Sequence, residues 1–199
     1  DYVFLHENQD LYRLLFNRSS SWQTFLLYGE YGSGKTHLAH LWKEVKNAQF
    51  INIDGFVLDV LNKANAFVIE DVHLIKNEKK LLHCFNYIKE QGKFLLMTSG
   101  VSPNSLNFDL NDLRSRIMAS MSGKMAPPSE ELLRIVLIQY FSRNQISVEL
   151  KVVNYILNNV ERSFSEIKKI VKMIDEESMA QSSSITIPFV RSLINGMHN

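Results

Sequence analysis

Gly29-Glu30-Tyr31-Gly32-Ser33-Gly34-Lys35-Thr36 is a glycine, four residues, a glycine, a lysine and a threonine, and its reading decides the fold. Before it runs Thr24-Phe25-Leu26-Leu27-Tyr28, apolar on both faces as a central parallel strand is. After it Leu38, Leu41, Trp42 and Val45 recur at helical spacing. A glycine-rich turn between a strand and a helix is a phosphate cradle. Its glycines let backbone N–H groups close around phosphate oxygens, and the helix N-terminus adds the positive end of a dipole. In such a loop Lys35 reaches the β and γ phosphates, and Thr36 offers a hydroxyl to Mg²⁺. Gly29, Gly32, Ser33, Gly34, Lys35, Thr36 and His37 are therefore the expected cofactor-binding positions, with ATP or ADP as the ligand.

A loop of this kind works with an acid at the end of a neighbouring strand, which holds the magnesium shell and polarises a water. Ala66-Phe67-Val68-Ile69-Glu70-Asp71 supplies four apolar residues followed by two acids. The expectation is Glu70 on the Mg²⁺ side with Thr36, and Asp71 as the catalytic, water-polarising acid. The commoner order puts the shorter acid first, so the reach of both carboxylates is altered, which points to weak intrinsic hydrolysis.

Working outward, Gln49-Phe50-Ile51-Asn52-Ile53 and Lys93-Phe94-Leu95-Leu96-Met97 also read as strands, with a fifth, weaker one near residues 122–125. Leu81, Leu82, Phe85 and Ile88 form a helical stripe that Gly92 closes. This alternation predicts an α/β fold, a parallel sheet flanked by helices. Pro127-Pro128 breaks it, and only helical periodicity follows. Leu132, Leu133, Val136, Leu137 and Tyr140 give one helix, and Val152, Val153, Ile156 and Leu157 a second. A third opens with Ser163-Phe164-Ser165-Glu166, the spacing of a capping box, and a fourth at Thr186 with Pro188 in its first turn. The expected domains are 1–126, a nucleotide-binding α/β domain, and 127–199, a small all-helical lid.

Composition limits the partners. Of 199 residues, 22 are Lys or Arg and 21 Asp or Glu, so the net charge of +1 supplies no field for strong direct DNA binding. Lys76, Lys79 and Lys80 read as a solvated helix face. No apolar run approaches the about 20 residues of a membrane span, and the start lacks a secretory pattern, so a soluble, cytoplasmic protein with no membrane partner is expected. The single cysteine, Cys84, sits among apolar residues and reads as a small buried hydrophobe. His37, His40, His73 and His83 lack a convincing third ligand and read as surface or helix-packing histidines. Trp22 and Trp42 read as core or adenine-side packing. No Ser-His-Asp or Cys-His arrangement stands out.

The phosphate loop, acidic strand end and helical C-terminal part together resemble the AAA+ ATPases. Thr98-Ser99-Gly100-Val101-Ser102-Pro103, Leu110-Asn111-Asp112-Leu113-Arg114-Ser115-Arg116-Ile117 and Pro127-Pro128-Ser129-Glu130-Glu131-Leu132-Leu133-Arg134 are similar to the DnaA branch. That branch carries a proline-containing turn, a Leu-x-Ser-Arg block and a Pro-Pro linker in these places. Asp1 to Phe16, with Phe4, Asn8 and Tyr12, is similar to its segment before the first strand, where Val3, Phe4 and Leu5 would line the adenine pocket. The ending Ile185-Thr186-Ile187-Pro188-Phe189-Val190-Arg191-Ser192-Leu193-Ile194 is similar to that of the Hda family. These are short DnaA homologues that promote hydrolysis of DnaA-bound ATP while held by the DNA polymerase sliding clamp.

The resemblance implies DnaA and the clamp as partners, the clamp through a glutamine-led motif that residues 1–199 lack and that is expected before Asp1. No helix-turn-helix domain is expected after Asn199. Arg116 matches the arginine finger, which acts in trans on a neighbour's γ-phosphate and is worth roughly 10³ to 10⁵ in rate in related hydrolases. Arg114 reads as a solvated helix charge. Gly100 stands where the first sensor aspartate is usual, leaving Thr98 or Ser99 to contact phosphate or water, and Ser165 stands where the second sensor arginine is usual. Lys168, Lys169 and Lys172 nearby read as a solvated face, since lysine lacks the arginine fork. A helicase-loader-type ATPase, a non-hydrolysing ADP-bound adaptor, the ATPase domain of a DnaA initiator, and a homo-oligomer remain open readings.

Overall fold

The computed structural model describes residues 8–17, 22–55, 61–181 and 184–197. The chain divides into two compact units, His6–Ala126 and Pro127–Asn199. In the first, β1 (Thr24–Tyr28) is flanked by β4 (Phe94–Ser99) and β5 (Met121–Lys124), with β3 (Ala66–Ile69) and β2 (Gln49–Phe50) beyond β4. The order is β2-β3-β4-β1-β5 and every pairing is parallel. The register sets Tyr28 beside Ser99 and Ile69 beside Met97, so the ends of β1, β4 and β3 lie abreast. The three loops that follow them open along one edge, where open α/β sheets bind ligands.

Helices α1 (Gln9–Phe16), α2 (Lys35–Lys46), α3 (Glu78–Glu90) and α4 (Asn111–Met118) complete this unit. The central strands are buried on both faces, with Phe25, Leu26, Leu27, Phe67, Val68, Leu95 and Leu96 all excluded from solvent. Each such side chain contributes about 1.5–3 kcal/mol relative to exposure. Trp22 and Trp42 are core residues with ring centroids 5.8 Å apart, and Trp22 Nε1 donates to Leu14 O at 2.9 Å, tying α1 to the approach to β1. Cys84 lies in the cluster of Leu81, Phe85 and Ile88, and burial pushes its thiol up to about 12.

The structure departs from the sequence reading at two elements. The strand expected over 49–53 spans only Gln49 and Phe50, with one further bond from Ile51 N–H to Val68 O at 2.8 Å, beyond which the Asn52 side chain accepts the Asp54 N–H at 3.0 Å and turns the chain. Helix α1 falls in a segment for which no element was assigned; its Leu11 and Leu15 are buried at i,i+4 spacing.

The second unit is all helical: α5 (Glu130–Arg143), α6 (Leu150–Asn159), α7 (Phe164–Gln181) and α8 (Ile187–Met197). Helix α5 packs on α6 and α7, and α8 on the same two, around Leu137, Phe141, Ile156, Ile170, Ile174 and Val190. Ser129 caps α5 by accepting from Leu132 N. Half of the capping box at α7 forms: Ser163 Oγ accepts from Glu166 N at 3.2 Å, while Ser163 N–H bonds Glu161 O. Among the described residues no helix is long and apolar enough to cross a membrane.

Candidate functional site

The loop between β1 and α2 is shaped by its glycines. Gly32 (φ 74°) and Gly34 (φ 101°) take left-handed backbone, which costs glycine little and other residues more. Gly29 is required for a different reason: a Cβ there would stand 2.6 Å from Met125 O. Gly34 caps α2 without a side-chain acceptor, so no capping side chain stands at the start of the helix. Ser33 Oγ is buried with no hydrogen-bond partner among the described residues. Lys35, 8% exposed, is folded into its own loop, Nζ donating to Gly29 O at 2.9 Å and Glu30 O at 2.8 Å. Burial lowers its pKa, and the negative charge of Asp71 partly opposes that. Thr36 and His37 are exposed on the first turn of α2.

Asp71 thus lies within electrostatic reach of Lys35. Its backbone is left-handed (φ 48°) and opens a short 3-10 turn, Val72–Leu74. Its N–H donates to Thr98 Oγ1 at 2.9 Å. Glu70 lines a groove of about 410 Å³ with His40, Phe50, Asn52, Asp54 and Ile75, on the β2 side of the sheet. The two acids, adjacent in sequence, therefore meet different surroundings. Thr98 and Ser99 are fully buried; Ser99 Oγ bonds Val101 O and N at 2.8 and 3.1 Å. The two hydroxyls thus serve the backbone at the end of β4. Gly100 N–H donates to His73 Nδ1 at 3.1 Å. His73 and Glu78, the latter accepting from Asp109 N and Leu110 N at 3.0 and 2.8 Å, were not among the expected site residues. Neither contact follows a local spacing; the only trace in the sequence is a glycine at 100.

Arg116 lies on α4, its side chain 37% exposed, with Nε donating to Asp112 Oδ1 at 2.8 Å. Such a surface pair is worth about 0.2–1 kcal/mol and yields readily to a stronger partner. Arg114 is exposed. Lys80 bonds Asp54 O, and Lys76 and Lys79 border an open groove of about 500 Å³ with Glu78 and Asp109. In the helical unit, Ser165 Oγ meets Ser163 Oγ at 2.9 Å, while Lys169 and Lys172 pair with Glu166 and Glu176. Glu130 bridges Arg134 and Arg162 on either carboxylate oxygen. Val3, Phe4 and Leu5 lie outside the described residues.

A family profile described as "Hda, lid domain" matches residues 134–194. Domain III of the replication initiation protein DnaA from Thermotoga maritima superposes with a TM-score of 0.82 at 19% identity, covering 98% of this chain and 94% of that one. The chain is thus similar to Hda over its lid, and its fold is that of DnaA domain III. The AMPPCP-bound DnaA of Aquifex aeolicus aligns with the Hda-like chain at a TM-score of 0.69 and 18% identity, over 87% of this chain and 62% of that one. The chromosomal replication initiator DnaA of Buchnera aphidicola is 22% identical over an alignment of 210 positions that covers 92% of this chain and 48% of the relative. The Hda-like chain thus spans about half the length of that relative.

Proposed function

We propose that this Hda-like protein binds ATP or ADP with Mg²⁺ and uses the bound form to dock on DnaA, where Arg116 promotes hydrolysis of DnaA's ATP in trans and so limits replication initiation. The observation that carries the nucleotide reading is the loop itself. Left-handed Gly32 and Gly34, an uncapped helix N-terminus, an unpartnered buried Ser33 hydroxyl and a lysine held by loop carbonyls all fit a polyphosphate. Gly29, Gly32, Ser33, Gly34, Lys35, Thr36 and His37 would hold it. Thr36 and Glu70 would carry the magnesium shell, and Asp71, whose charge reaches Lys35, would face the terminal phosphate. The bound nucleotide supplies a transferable phosphoryl group; the residues of this chain hold and orient it.

Three features support action on a partner's nucleotide rather than fast turnover of its own. Gly100 and Ser165 carry no charge where relatives usually have one, and both Thr98 and Ser99 are buried in backbone contacts. Arg116 stands on the surface, its side chain paired weakly with Asp112. The test is the rate at which ATP preloaded on DnaA is hydrolysed, with and without this protein in ADP and with the sliding clamp loaded on DNA. Acceleration that disappears in Arg116→Ala, with nucleotide binding intact, is the expected result. Acceleration unchanged in that variant would overturn the trans reading. Robust ATP turnover by the protein alone, lost in Lys35→Ala, would favour a helicase-loader-type ATPase.

A further inference from the structure

Gly100 and His73 are matched to one another across the ends of β4 and β3. A Cβ built at Gly100 would lie 2.7 Å from His73 Nε2 and 3.1 Å from Cε1, so the imidazole fills the place that a side chain at 100 would take. The same ring accepts the Gly100 N–H at Nδ1, which puts its own proton on Nε2. His73 sits in the 3-10 turn opened by Asp71, whose left-handed backbone is held by its bond to Thr98. Two cross-links, Asp71 to Thr98 and His73 to Gly100, therefore fasten the turn bearing Glu70 and Asp71 to the neighbouring strand. A left-handed aspartate is conformationally costly and persists only where its surroundings over-determine it. Thr98 supplies one constraint and His73 the other.

We propose that His73 is a positioning residue for the acidic turn: Nδ1 ties the turn to Gly100, and the ring stands in for the absent side chain at that position, so that Glu70 is presented to a nucleotide's magnesium and Asp71 to its terminal phosphate. This rests on the nucleotide reading above. Asparagine at 73 keeps an acceptor near the position of Nδ1 but lacks the distal ring atoms that crowd Gly100; leucine keeps bulk and lacks the acceptor.

Two measurements on the full chain test it. The first is amide hydrogen exchange without nucleotide. His73→Leu should speed exchange at Gly100 and Asp71, and His73→Asn should leave both protected. The second is affinity for a fluorescent ADP analogue with Mg²⁺ and with EDTA. His73→Leu should reduce the magnesium-dependent gain about 2- to 10-fold, the span one hydrogen bond supplies, with the EDTA value unchanged. Gly100→Ala should do the same in the parent protein but be silent in the His73→Asn background. A general loss of folding would instead lower the EDTA affinity and the melting temperature together. Equal exchange and equal magnesium dependence in His73→Leu, or Gly100→Ala equally harmful in both backgrounds, would overturn the proposal. Absence of any ADP binding by the parent protein would overturn the nucleotide reading instead, leaving the exchange measurement to decide the role of His73.

Discussion

Lys35 and Cys84 are both buried ionisable groups, with opposite meanings. Lys35 is drawn in by two carbonyl acceptors and the charge of Asp71, against a desolvation cost that lowers its pKa. On the proposed nucleotide reading, removing the ammonium removes the cation that would face the phosphates. Lys35→Ala should therefore abolish the rise in melting temperature on adding ADP and Mg²⁺, a rise that corresponds to about 2.7 kcal/mol at a hundredfold excess over Kd. A rise equal to that of the parent would remove Lys35 from the site. Burial alone acts on Cys84 among the described residues, and its thiol is raised from an ordinary 9.0 to about 12. The folded protein should resist iodoacetamide at pH 8 and react once unfolded. Above pH 9 the unfolded chain gives up the thiol proton and the folded chain keeps it, so this group lowers stability progressively from pH 9 toward 12. Denaturation midpoints over that interval, compared between the parent and Cys84→Ala, check the sign.

Glu78 sits in the first turn of α3 and reaches the chain just before α4, accepting two consecutive backbone N–H groups. Glu78→Ala leaves both N–H groups without their acceptor. Expected are faster amide exchange at Asp109 and Leu110 and a stability loss of about 1–3 kcal/mol, read from hydrogen exchange and chemical denaturation. Because α4 carries Arg116, stimulation of DnaA should fall in the same variant; unaltered exchange at both amides would remove the tether. The elements most legible in the sequence were those with a strong period or a strong spacing. Strands β1, β3 and β4 are apolar on both faces, and the loop at 29–36 announces itself by glycine spacing alone. Strand β2 was overextended because Ile51 and Ile53 are buried whether or not they pair, and apolar pattern reports burial, not hydrogen bonding. Helix α1 has only eight residues, too few turns to show a period clearly. In the site, the spacing of the loop and the two acids was readable, but their surroundings were not. That Asp71 acts on Lys35 while Glu70 faces a groove toward β2 depends on a left-handed residue, and His73 and Glu78 act across 27 and 31 or more positions of chain.

Each of the two units has its own buried cluster, one around the sheet and one among α5 to α8. Amides in these clusters should therefore report separate opening free energies in native-state hydrogen exchange, and ADP should protect those of β1, α2 and β3. A single common free energy for both sets would show that the cores act as one. One contact at the boundary carries further. Met125 N–H bonds Tyr28 O at 2.7 Å, and Met125 O occupies the space beside Gly29 into which a side chain would project. Met125 stands two positions before Pro127, so the last residues of the sheet unit run beside the first glycine of the phosphate loop. The end of β5 and the first glycine of the phosphate loop therefore share one space, which any side chain at position 29 would have to take from the Met125 carbonyl.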